Sequence, residues 1–340
     1  MNLSPEKTRI AWYRVPVNRE ELSQLVRRND FLGALQTLGH LGLLAATGTL
    51  AFLGAQRWHW PWELVVAIVY VHGMCWNFLI NGFHELIHET VFRTRWLNGF
   101  FLRIFSFLGW HNHHQFWASH TEHHLYTLHP PQDLEVVLPV RLTIRDFRDS
   151  AIVNVKGLIQ SFRTNIRYAR GRLDGQWEHA LFDAHPEQAR RMFNWSRILL
   201  AGHAAIAVAA LWMHWWMLVV LVTFAQFYGG WLFFLCNNSQ HVGLQDFADD
   251  YRACCRTIHL NPVVRFLYWH MNYHTEHHMY AAVPCYRLGR LHRLLKPDLP
   301  ECPRGLYAAW TNIAMILERQ KIEPAYQYSP AFPAKRERHQ

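Results

Sequence analysis

The amino-acid sequence predicts an all-α integral membrane protein: four transmembrane helices in two hairpins, with a cytosolic helical cap carrying clustered histidines. Three observations predict it. Long runs without a charged residue alternate with strongly basic stretches. Lysine and arginine are concentrated in the stretches that would share one side of a membrane. Three histidine groups with helical spacing fall next to the ends of the apolar runs.

Composition carries the same split. Hydrophobic residues make up 51% of the 340, including 16 Trp and 21 Phe, yet there are also 24 His and 34 Lys plus Arg. The near-zero mean hydropathy therefore averages two opposite populations. The six cysteines (Cys75, Cys236, Cys254, Cys255, Cys285 and Cys302) form no C-x-x-C pair and no regular spacing. They read as free thiols facing a reducing compartment or the lipid. Residues 1–30 are polar and basic, with no signal peptide ahead of the first apolar run, and are expected to form a cytosolic N-terminal segment.

Residues 31–56 contain no charged side chain and are long enough to span, since crossing takes about 20 residues. Trp58, Trp60 and Trp62 mark an interface, where indoles prefer to lie. Residues 64–84 are again charge-free and make a second span that runs into the first histidine group. Residues 96–110 are apolar but too short to cross and contain Arg103, so an interfacial or re-entrant helix is expected. Residues 139–197, with eleven Lys or Arg against six Asp or Glu, read as a cytosolic segment. Residues 198–245 are charge-free; up to Cys236 a single helix would be about 60 Å long, twice the hydrocarbon thickness. This run is expected to fold as a hairpin turning near His214, with the fourth span from about Trp216 to Cys236. The predicted outer loops hold only Arg57 and Glu63, so the positive-inside rule puts both termini and all histidine groups in the cytosol. Residues 31–328 then form one membrane domain, and 329–340 a disordered tail. The net charge of +9 comes without any nucleic-acid-binding motif; anionic headgroups or an acidic electron donor are the expected partners, not nucleic acid.

His120-Thr121-Glu122-His123-His124 and His274-Thr275-Glu276-His277-His278 repeat the same five residues, and His84 with His88 adds a pair at i and i+4. Residues at i, i+3 and i+4 share a helix face, so each copy is expected to direct three imidazoles at a common point. Eight patterned histidines without a patterned cysteine are enough for two transition metals. His241 joins them as a candidate, and Asn237, four residues earlier, would face the same centre. Glu85, Glu122 and Glu276 are candidates for orienting the ligands, as a metal-bound imidazole usually donates its other N–H to a carboxylate or carbonyl; Glu89, Asp133 and Glu135 are further ones. His111, His113 and His114 lack the spacing and stand at best behind the ligands. His40, His72, His203 and His214 read as packing or interface residues.

The order H-x3-H, H-x2-H-H, H-x2-H-H with hydrophobic hairpins between them resembles the membrane fatty acid desaturase superfamily. The resemblance runs from the first span to about residue 295 and includes the Asn237-x3-His241 pattern. The run from Tyr268 to Pro284 is similar to bacterial members, which places the expected site in a bacterial inner membrane. The resemblance implies a non-haem di-iron centre of two Fe ions, with dioxygen as co-substrate, held by His84, His88, His120, His123, His124, His241, His274, His277 and His278. It implies desaturation of a fatty acyl chain; Trp76, Phe83, Trp117, Tyr228, Trp231, Phe233 and Trp269 are candidates either to line the substrate cavity or to pack between the spans. The sequence has no His-Pro-Gly-Gly haem motif, so electrons are expected from a separate ferredoxin- or rubredoxin-like carrier with its reductase. Related hydroxylases and alkane monooxygenases share the histidine pattern, and hydroxylation is the alternative reaction. A metal transporter is the alternative from another class; it would carry polar residues near mid-membrane, and these spans are almost clean of them.

Overall fold

In the computed structural model, residues 9–335 are described, and among them the regular structure is helical, with isolated bridges but no strand. α1 (Arg19–Leu25) leads into α2 (Asp30–Gln56), the first predicted span. Asn29 caps α2 by accepting from the Leu32 N–H at 3.0 Å. The Asp30 carboxylate accepts from the backbone N–H and the hydroxyl of Thr94, which ties the start of α2 to the chain just past the first histidine group. At Gly33 a Cβ would lie 2.6 Å from the Val91 carbonyl, so only glycine lets α2 approach that segment.

α3 (Trp62–Trp76) and α4 (Leu79–Ile87) form one apolar stretch interrupted at Asn77 and Phe78. Among the described residues, three helical stretches are long and apolar enough to cross a membrane: Asp30–Gln56, Trp62–Ile87 and Pro186–Trp212. α5 (Arg95–Leu108) is the short helix expected there, with Trp96 and Phe100 exposed and Phe105 and Ser106 buried. α6 (His113–Tyr126) carries the second histidine group. α7 (Ile144–Ala151), α8 (Val155–Ala169) and α9 (Gly175–Phe182) follow in the basic segment.

Two boundaries differ from expectation. α10 (Pro186–Trp212) starts twelve residues before the apolar run at Ile198, in what reads as a cytosolic segment. Pro186 suits the first turn, and the charged Glu187, Arg190 and Arg191 mark where the helix leaves the apolar zone rather than where it begins. The fourth apolar stretch is not one helix. α11 (Trp216–Leu218) loosens into a π turn at Val219–Thr223 and a 3-10 turn at Ala225–Phe227, then passes through extended Tyr228 and Gly229, whose φ of 68° is left-handed, before α12 (Trp231–Asn237). Broken backbone within an apolar stretch survives only where its polar groups find partners inside the protein. Here His72 Nε2 donates to Leu221 O (2.9 Å), Trp110 Nε1 to Thr223 O (2.8 Å) and Asn154 N to Phe227 O (2.7 Å). Ser150 O accepts from Gly230 N at 3.0 Å. His72 is thus a partner of the broken stretch, beyond simple packing.

The cap comprises α13 (Tyr251–Cys254), α14 (Pro262–Leu267), α15 (His274–Met279), α16 (Cys285–Leu295) and α17 (Gly305–Ile322). It is locked to the spans through fully buried Trp269, whose indole N–H donates to His40 Nδ1 at 2.9 Å. Gly82 makes room for that indole: a Cβ there would come within 2.6 Å of it. The chain ends wrap the cap. Trp12 stacks on Tyr251 at 4.2 Å, and the Tyr280 hydroxyl donates to Val15 O. Of the expected disordered tail, residues 336–340 lie outside the described residues; Phe332 and Pro333 O both contact Arg252.

Candidate metal centre

The histidines come together, but each triplet does not point at one place. His84, His88, His120, His124 and His277 form one group, with a nitrogen from each lying within 4.8 Å of the others. His241, His274 and His278 form a second, joined there by Cys255. His123 stands against the second, its ring 5.2 Å from that of His241 and 5.0 Å from that of His278. The two repeats therefore split in opposite senses: His120 and His124 go to the first group and His123 to the second, whereas His274 and His278 go to the second and His277 to the first. This corrects the common-point expectation, and helix geometry explains it. Positions i and i+4 lie about 40° apart around the axis, while i+3 and i+4 diverge by about 100°. Bringing the two helices together then lets each one serve both groups, which share a wall where the rings of His124 and His278 stack at 4.5 Å.

Several outer nitrogens are held from behind, while Nδ1 of His274 and of His277 has no hydrogen-bond partner. Glu135 accepts from His120 Nδ1 at 2.8 Å and Asp133 from His123 Nδ1 at 2.8 Å. Cys254 O accepts from His241 Nδ1 at 2.8 Å, and Glu85 lies 3.1 Å from His84 Nδ1 and 3.6 Å from His277 Nδ1. His278 Nδ1 contacts the Thr127 hydroxyl at 3.2 Å. Where the single N–H is committed outward, a neutral imidazole presents a bare Nε2 lone pair inward. Those lone pairs crowd together. Nε2 of His120 and His124 are 3.0 Å apart, His124 and His277 3.2 Å, His241 and His274 2.8 Å, and His274 and His278 3.1 Å. The buried Nε2 of His88 has no hydrogen-bond partner at all. So many converging lone pairs with so few protons between them fit transition-metal cations, which imidazole ligates well.

Electrostatics agrees. Burial, reinforced by the neighbouring His84, pushes His88 down to about 3, and burial with the nearby His123 does the same for His241. Both are neutral near pH 7, as ligation requires. His123 goes the other way: burial would lower it, but the hydrogen bond and charge of Asp133 outweigh burial and hold it above the ordinary value. We expect Asp133→Asn to weaken metal binding by about 10–100-fold, the usual cost of losing an outer partner of a ligating histidine. A competitive chelator titration measures this, and unchanged affinity would mean that Asp133 does not orient His123.

Other expected residues fall elsewhere. Glu276 is completely buried but bonds the His292 imidazole and the Thr257 hydroxyl instead of a patterned histidine. It sits at the third position of its repeat, which turns it away from both groups and into the cap. Glu122 is half-buried on α6, and Asn237 is exposed at the end of α12, while the patterned histidines are buried or half-buried. Asn237 fails to face the centre because α12 ends there and a turn, not a continued helix, separates it from His241. Trp117 is 48% exposed. His113 contacts Ser106 and Trp195, away from both groups. His292 and Thr127 were not foreseen, since neither carries a spacing signal; Cys254 contributes only a backbone carbonyl, which no sequence pattern marks.

A comparison with curated proteins finds no match. The family model for Fatty acid desaturase matches residues 60–309, which takes in all three histidine groups and His241. The match covers most of the chain and contains the split histidine centre, so this protein belongs to the fatty acid desaturase family.

Proposed function

We propose that the chain is a di-iron oxidoreductase that introduces a double bond into a fatty acyl chain, using dioxygen and electrons from a separate carrier. The observation that carries this reading is the division of nine histidines into two adjacent groups with inward-facing Nε2 atoms. The nine are His84, His88, His120, His123, His124, His241, His274, His277 and His278. In such a shell, iron supplies dioxygen activation at an unactivated C–H bond. The balance is one dioxygen, two electrons and two protons, with two hydrogens from the chain, giving two waters and one double bond.

The protein's own part is positioning and exclusion. Asp133, Glu135, Glu85 and Cys254 O fix which nitrogen of each partner histidine carries the proton. Phe116 packs beside His84 and His120, stacked 4.7 Å from His120, with Phe83 packed against Phe116, and the two give the first group an apolar wall on which water has no partners. The test is lipid analysis of cells making the protein against cells making His277→Ala. New double bonds in membrane acyl chains only with the unaltered protein support the proposal. New hydroxyl groups would instead assign hydroxylation, and no change in either would overturn an action on acyl chains.

The proposed setting is a bacterial inner membrane, with the broken stretch 216–237 as the fourth crossing and both termini and the histidine groups on the cytosolic side. The basic loops support this orientation. A reporter fused near residue 214 then reads outside, and fusions at residue 30 and at the C-terminus read inside; an inside reading at 214 would remove the second hairpin.

The carrier is proposed to dock on the basic inner face. Arg290 and Arg293 of α16 are exposed there. Arg252 and Arg256, near the third histidine group in the sequence, are buried and serve the fold instead. Rates with an acidic carrier are expected to fall between about 50 and 500 mM salt, as the Debye length shrinks from roughly 14 to 4 Å. Reversing Arg290 and Arg293 to Glu should raise the carrier concentration needed for half-maximal rate without changing metal content. A rate indifferent to both would place docking elsewhere.

A further inference from the structure

The two histidine groups are unequal in number, and a thiol makes up the difference. The first holds five imidazoles; the second holds His241, His274 and His278, with His123 against it. Cys255 brings its Sγ within 4.8 Å of a nitrogen of each of those three. It is 2% exposed, and its backbone is pinned where α13 ends: its N–H donates to Tyr251 O at 2.9 Å and its carbonyl accepts from the Thr275 hydroxyl at 3.1 Å. The neighbouring Cys254, 3.8 Å away sulfur to sulfur, is outside the group. Around Cys255 the three histidines already crowd their Nε2 atoms to 2.8 and 3.1 Å, the same mark of a cation site as in the first group.

We infer that Cys255 is a sulfur ligand of the second metal site, which makes the two sites chemically different: five imidazoles in one, four imidazoles and a thiolate in the other. This rests on the two-metal reading above. As the sulfur–metal bond forms, the thiol proton leaves to solvent, because a coordinating thiol is deprotonated by the cation. A thiolate is a stronger electron donor than imidazole, so the second metal would be the more electron-rich of the pair.

Cobalt(II) added to the metal-free protein tests this without turnover. The unaltered protein should bind about two cobalt ions and show a near-ultraviolet sulfur-to-cobalt charge-transfer band. Cys255→Ser and Cys255→Ala should both lose that band and bind the second cobalt at least about tenfold more weakly, while Cys254→Ser keeps it. In the unaltered protein, metal should also shield Cys255 from a small mercurial, which separates ligation from a folding defect of the variants. Two bound cobalt ions with no sulfur band, or a band that survives in Cys255→Ser, would overturn this inference and leave the two-metal reading standing. Failure of the unaltered protein to bind cobalt would overturn both.

Discussion

Replacing His277 with alanine is expected to remove about one of two metal ions per chain and to cut turnover more than about 100-fold, beyond the cost of losing an outer partner. Replacing His278, the next residue, should do the same to the other ion. The two side chains leave α15 about 100° apart. The rings of His277 and His124 lie 4.9 Å apart on the first group's side, and those of His278 and His274 4.5 Å apart in the second. Paired substitutions make this sharp. Residues that act on one site should be non-additive, and residues on different sites additive. His84→Ala with His277→Ala should therefore still leave about one metal, whereas His277→Ala with His278→Ala should leave none. Elemental analysis of purified protein reads the result. If the His84 and His277 pair loses both metals while the His277 and His278 pair keeps one, the division of the repeats is wrong.

Arg252→Ala should destabilise the fold by about 3–5 kcal/mol, the usual cost of stripping one partner from a buried ion pair. Arg252 is fully buried, and Asp250 is 3% exposed. The guanidinium grips Asp250 with Nε at 3.1 Å and Nη2 at 2.8 Å, and its Nη1 donates to Asp298 O and Pro333 O. Its carbon lies 4.6 Å from the Tyr13 ring and 4.3 Å from the Phe332 ring, so one side chain clamps both ends of the chain onto the cap. Alanine leaves the Asp250 carboxylate buried without its cation and releases both clamped segments. Lysine keeps the charge but not the planar fork and should recover only part of the loss. Thermal unfolding in detergent measures the first effect. Limited proteolysis near residue 13 and near residue 333 measures the second. An unchanged midpoint with unchanged cleavage would show that the clamp does not bear on stability.

The sequence by itself determined the apolar stretches of α2 and of α3 with α4, the three histidine groups and the added His241. Each follows from a short-range rule: the length needed to cross, or the angle between residues three and four apart. Asp133 and Glu135 were also legible, because carboxylates close behind a histidine repeat are natural partners for its outer nitrogens. What only the tertiary structure decided depends on which elements meet. Helical spacing shows which histidines share a face, but the division between two groups comes from the meeting of histidines on α6 and α15, two helices far apart in the chain. Glu276 occupies the same repeat position as Glu122, yet it reaches His292 because α16 packs behind α15. The break at 219–229 has no proline to announce it. Its freed carbonyls are tolerable because His72, Trp110 and Asn154 arrive from three other segments to donate to them. Cys255 stands beside the second histidine group for the same reason, since α13 is held against α15 by the Thr275 hydroxyl, and local pattern alone leaves that cysteine no different from the other five.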